Sequence, residues 1–278
     1  MEGKKLLSKI IIAATFLFSS VGAAEIPNNL VIPPAVYEYQ GGNLDLSKEG
    51  MHRLLNYPTH VTQRITFKDD VKSLLAALSL LTSHGCTHDW LDLTDAKIMA
   101  LTSKLSMTCG SAAQFAQAVL AEQGVKSRLC GGVAIGDYND YNNGHAMLEV
   151  MVGGRYQVFD MSTKRLFKDS ILSVCCQIVT ECIPPHEVFH TQNLVASTPI
   201  MCNGIDLHLL CEEMLKDDAS VLKWYRRVLQ VPFIQEGDEF FYTCRDSDRE
   251  VVGKQFYFWQ YLKEQEFVEK FYTFQFQE

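Results

Sequence analysis

A thiol, an imidazole and a carboxylate stand in order along one stretch of this chain, at Cys109, His145 and Asp160. Brought together, these side chains can run nucleophilic acyl chemistry. An imidazole that takes the thiol proton leaves a thiolate, the nucleophilic form of cysteine. A carboxylate on the other ring nitrogen fixes the tautomer and steadies the imidazolium. Such a thiolate attacks an amide carbonyl, in a glutamine side chain or a peptide bond, and the imidazolium protonates the leaving amine. Water resolves the resulting thioester in a hydrolase, and a second amine does so in a transferase. The Cys109 backbone N–H is a ready oxyanion donor, because helix N-termini present unpaired N–H groups. The sequence assigns no second donor.

The elements that must position these residues are written around them. Thr108-Cys109-Gly110-Ser111 opens a helical pattern, with Ala112, Ala113, Ala116, Val119 and Leu120 on one face and a stop at Gly124. Thr108 is a candidate cap, and the helix N-terminus favours thiolate at Cys109. A strand-like run, Val125 to Ile135, and a polar loop lead to His145. Gly153-Gly154 then separates Ala146–Val152 from Arg155–Phe159 as the turn of a hairpin. With Val152 opposite Arg155, Met147 falls opposite Asp160. Side-chain alternation then puts His145 and Asp160 on one face as diagonal neighbours.

On these residues the chain resembles the transglutaminase-like superfamily, whose papain-like core carries Cys, His and Asp in this order. The matching features are Cys109 on its helix, Gly124-Val125-Lys126-Ser127-Arg128, Gly144-His145-Ala146 with Glu149-Val150, and Phe159-Asp160. The resemblance implies an α+β fold with the nucleophile helix packed on an antiparallel sheet. It also implies a catalytic triad of Cys109, His145 and Asp160 that needs no cofactor or metal. Two positions depart from the family pattern. Tyr156 stands where the family often has Trp, and Met161 where Pro often follows the Asp.

Composition bounds the setting. The chain has 278 residues, 47% of them hydrophobic, enough for one large core. A formal charge of −8 argues against a nucleic-acid partner, which selects a basic face. Residues 1–24 read as a secretory signal: Lys4, Lys5 and Lys9, an apolar run from Ile10 to Phe18, then small residues near Ala23 and Ala24. The run is shorter than the roughly 20 residues that a membrane span needs. Cleavage would remove three lysines and one glutamate and take the charge to −10. An exported chain without stable membrane insertion is the expectation. Eight cysteines then remain beside Cys109: Cys86, Cys130, Cys175, Cys176, Cys182, Cys202, Cys211 and Cys244. In an oxidising compartment they would form several disulfides, and otherwise they would be buried thiols.

Residues 25–60, rich in Pro, Gly and Asn, read as an extended arm with little regular structure. Residues 61–200 read as the catalytic core, with an amphipathic helix over Asp69–Ser83, its apolar face Val71, Leu74, Leu75, Leu78 and Leu81, and a second helix from about Thr94 to Leu105. Between them, His84-Gly85-Cys86-Thr87-His88 holds zinc-ligand types but no second cluster, and Gly85 reads as a helix stop. His52, His60, His186, His190 and His208 are scattered. Residues 201–278 read as a helical and aromatic extension packed on the core. Leu209, Leu210, Met214, Val221, Leu222 and Leu229 are available for packing, and the aromatic runs begin at Phe240, Phe256 and Phe271. Such rings pack a core or line a sugar or peptide groove. Three functions fit: an exported thiol hydrolase of peptide or isopeptide amides, a crosslinking or deamidating transglutaminase, or a binding protein on the same fold. Protein or peptide is the expected substrate of the first two.

Overall fold

The computed structural model describes residues 36–39, 42–45, 52–56, 64–67, 70–102, 105–135, 143–180, 182, 184–189, 201–202, 205–206 and 217–273. Residues 1–24, read above as a signal, and His60, His190, His208, Cys211, Leu209, Leu210, Met214 and the side chains of His52 and Cys202 lie outside the described residues.

Strands β1 (Val36–Tyr39) and β2 (Gly42–Asp45) pair antiparallel, as do β3 (His52–Asn56) and β4 (Arg64–Phe67). The segment expected to be an arm with little regular structure thus contains strands β1, β2 and β3, and Gly42 itself opens β2. Helix α1 (Val71–Leu81) starts at Asp70, whose carboxylate caps Ser73 N at 2.8 Å. Its expected apolar face is inside, with Leu74, Leu75, Leu78 and Leu81 buried. Strand β5 (Thr82–His84), helix α2 (Leu93–Thr102) and strand β6 (Leu105–Met107) then lead to helix α3 (Cys109–Glu122). The remaining elements are β7 (Ser127–Val133), β8 (Gly144–Val152), β9 (Arg155–Asp160), β10 (Arg165–Phe167), α4 (Ile171–Val179), β11 (His186–Val188), β12 (Met201–Cys202), β13 (Ile205–Asp206), α5 (Asp218–Val228), β14 (Val231–Glu236), β15 (Glu239–Tyr242), α6 (Arg249–Gln255), β16 (Gln260–Tyr261) and α7 (Glu264–Tyr272).

Eight strands form one sheet in the order β11-β10-β9-β8-β7-β14-β15-β16. Every pair is antiparallel except β15–β16. The fold is therefore mixed α+β around a large, antiparallel-rich sheet. Alternation along the strands divides its core. Leu129, Leu148, Val150, Phe159 and Leu166 face one way, into a layer with α1, α2 and α3. Cys130, Met147, Val158, Phe167 and Ile234 face the other way, onto α4, α5 and α7. Alanines 112, 113 and 116 are all buried on α3, and their short side chains bring that helix close to β7 and β8.

Two expectations need correction. Residues 201–278 are not an extension laid over a finished core, because β14 pairs directly with β7 in the middle of the sheet. Phe233, Phe256 and Trp259 form a further buried cluster, with Phe256 and Trp259 stacked at 4.4 Å between centroids, whereas Tyr257 and Phe258 are exposed. Nor are Cys130, Cys175, Cys176, Cys182 and Cys244 disulfide-bonded. Cys130 and Cys175 are buried in the apolar layer against α4, where burial raises both thiol pKa values and the side chains pack as small apolar groups. No helix among the described residues is long and apolar enough to cross a membrane.

Candidate active site

Cys109 occupies the first turn of α3, partly exposed, where strand β6 delivers it. Thr108 holds the cap position but makes no side-chain bond to the helix backbone. Its own N–H donates to Asp89 Oδ1 at 2.9 Å, so a residue outside the helix ties down its start. The loop carrying Asp89 is clamped to β6. Gly85 N donates to Met107 O at 2.9 Å, His88 N to Ser106 O at 2.8 Å, and Ser106 N to His88 Nδ1 at 2.8 Å. The histidines once compatible with zinc therefore have other work. His88 anchors the loop, and His84, at the end of β5, lies 3.2 Å from Ser162 Oγ through Nδ1. Among the described residues no three His, Cys, Asp or Glu side chains gather to hold a metal ion. Burial, and then the charge of His145, push the His84 pKa down to about 4, which leaves a neutral imidazole beside the site.

The β8–β9 hairpin has the register its glycines imply. Val152 sits opposite Arg155 and Leu148 opposite Phe159. Gly153 and Gly154 take φ of +58° and +82°, the pair of positive angles that the tightest hairpin turn demands. His145 and Asp160 consequently share the face that looks toward α5, and His145 Nε2 lies 3.0 Å from Asp160 Oδ2. Both are buried, at 2% and 0% exposure. The other ring nitrogen, Nδ1, is buried and makes no bond of full hydrogen-bond geometry among the described residues. Cys109 lies close enough to this imidazole for each group to shift the other's pKa. Contacts of this kind commonly tighten only when substrate arrives.

The electrostatics form one pattern. Burial alone raises the Cys109 thiol, but the hydrogen bond and charge of His145, with the backbone of Ala146, outweigh it and bring the pKa below its ordinary value. Burial disfavours charge on His145, yet Asp160 raises its pKa to about 10. Asp160 is held well below the usual carboxylate range: burial pushes it up, while His145, Tyr225 and Thr163 pull it down further. A thiolate–imidazolium pair braced by a carboxylate is the favoured charge state.

Asp160 has more partners than His145. Oδ1 accepts from Ser162 N at 2.7 Å and Thr163 N at 3.3 Å, and Thr163 Oγ1, at 2.8 Å, and the Tyr225 hydroxyl both lie against Oδ2. Tyr225 belongs to α5, and so does Trp224, whose ring lies 4.5 Å from that of His145. No local spacing in the sequence signals these two. They reach the site because Gly132 has no side chain: a Cβ there would stand 2.5 Å from Leu229 Cα and 3.0 Å from Val228 O, at the end of α5. Gly132→Ala should therefore cost about 1–3 kcal/mol through overpacking. Urea unfolding would read this, and an unchanged midpoint would mean that α5 can shift freely.

Comparison of the chain with protein families, with curated proteins and with solved structures finds no match.

Proposed function

We propose that this chain is an exported, transglutaminase-like thiol enzyme on a papain-like core. Cys109 would attack amide bonds of protein or peptide substrates and pass through a thioester to water or to an amine. The observation that carries this reading is the meeting of His145 Nε2 with Asp160 Oδ2, with the thiol of a helix-start cysteine interacting with the same imidazole. Each member has a role in that chemistry. Cys109 supplies the electron pair, and His145 returns its proton to the leaving amine. Asp160 keeps Nε2 protonated and Nδ1 aimed at sulfur. The nucleophile helix on one layer, meeting His and Asp from adjacent antiparallel strands, supports the papain-like assignment. Partial exposure of Cys109 favours an enzyme over a binding protein with a blocked thiol.

Reactivity separates this reading from inert cysteine. Iodoacetamide at pH 7, followed by intact mass and peptide mapping, should modify Cys109 before the more exposed Cys176, whose pKa burial and Glu264 raise. The sign follows from the shifts. A thiol lowered from its ordinary value stays thiolate as pH falls from 9, whereas a raised one is already protonated. His145→Ala should remove the preference. Equal labelling of the two cysteines, or a Cys109 rate indifferent to His145, would sink the proposal.

A further inference from the structure

Three oxygens meet at the back of the triad. Asp160 Oδ2 lies 2.8 Å from Thr163 Oγ1 and 2.5 Å from the Tyr225 hydroxyl, and the two hydroxyls are 2.6 Å apart. An ionised carboxylate only accepts, and each hydroxyl carries a single hydrogen. Three contacts of hydrogen-bond length thus share two hydrogens. If both hydroxyls donated to Asp160, their own oxygens would face each other at 2.6 Å with nothing between. One hydroxyl must therefore donate to the carboxylate while the other donates to that hydroxyl. Two arrangements satisfy the count: Tyr225 on Asp160 with Thr163 behind it, or Thr163 on Asp160 with Tyr225 behind.

From this we infer that Thr163 and Tyr225 are interchangeable positioning residues, either of which suffices to hold Asp160 Oδ2 against His145. The inference rests on the triad reading given above. The two hydroxyls approach from independent elements. Thr163 is in the turn after β9, where its own N–H also reaches Asp160, and Tyr225 arrives 65 residues away in sequence on α5. Both are buried, so water does not replace a lost donor easily. With one hydroxyl gone, the other turns onto Asp160. With both gone, Oδ2 keeps only His145, and the buried carboxylate can rotate away from the imidazole or take up a proton.

The test is a double-mutant cycle on the full chain, read by the iodoacetamide rate at Cys109 at pH 6, where an ordinary thiol is almost wholly protonated. Tyr225→Phe and Thr163→Val should each slow labelling by no more than about threefold, and the double variant by about tenfold or more beyond their product. Thr163→Ser combined with Tyr225→Phe should restore the rate, because it returns a hydroxyl without the threonine methyl. Thermal melts accompany each variant. Restoration by serine of the rate, in double variants that melt alike, cannot come from packing. Single losses that multiply to the double loss, or no rescue by serine, would overturn the inference while leaving the triad intact. A wild-type rate that ignores His145→Ala would instead remove the triad reading, and the inference with it.

Discussion

Cys109→Ala and His145→Ala should each abolish acyl transfer almost completely, with losses on the order of 10³-fold or more, and the double variant should lose little beyond either. The geometry requires this non-additivity. A thiol without His145 loses the two largest influences that lower its pKa, while burial, the largest of all, still raises it. An imidazole without Cys109 has a proton to give but no thioester to release. Asp160→Asn should cost one to two orders of magnitude less than either, roughly as in other triads. It keeps nucleophile and base, and loses the charge that raises His145. Acylation by p-nitrophenyl acetate measures all of these without a known substrate: the sulfur displaces p-nitrophenolate, forming acetyl-Cys109, and the release is followed by absorbance. Losses that multiply across the Cys109 and His145 variants would mean that the two side chains act separately.

What the sequence made legible follows the range of each constraint. The buried face of α3 and the hairpin register depend on neighbours within about 20 residues, and helical or strand periodicity encodes such neighbours directly. His145 and Asp160 meet for that reason, through a turn written as Gly153-Gly154. The insertion of β14 beside β7 joins segments about a hundred residues apart, and nothing in the spacing of either strand names the other. Tyr225 was hidden in the same way. Its helix reads as amphipathic packing, and its role appears only when Gly132 admits that helix to the sheet. His84 illustrates a different difficulty. A histidine beside cysteine and a second histidine suggests metal by composition, whereas here tertiary contact directs it to Ser162. The cysteines were read from an expected compartment, and Cys130 and Cys175 answer to the apolar layer around them instead.

The largest stability effect should come from Arg128 and Glu149, which take no part in the proposed chemistry. Glu149 has 0% exposure, on the sheet face toward α4 and α7. Its Oε2 accepts from Arg128 Nε at 2.7 Å, and its Oε1 accepts from Ile171 N at 2.7 Å and the Tyr272 hydroxyl at 2.6 Å. Three elements, β7, α4 and α7, converge on this one carboxylate of β8. The Ile171 bond does the capping that Ser170 leaves undone at the start of α4, and a negative charge there suits the helix dipole. Arg128 is covered in turn by the Tyr156 ring, 4.0 Å from its guanidinium carbon, and donates to Phe271 O. Arg128→Ala would leave Glu149 buried without its cation, so it should destabilise the fold by about 3–5 kcal/mol. Arg128→Met together with Glu149→Leu should cost less than Arg128→Ala alone, because no charge is then stranded. Chemical denaturation of the three proteins decides the matter. A double variant less stable than Arg128→Ala would show that the carboxylate's bonds to α4 and α7, rather than its charge pairing, hold this side of the sheet together.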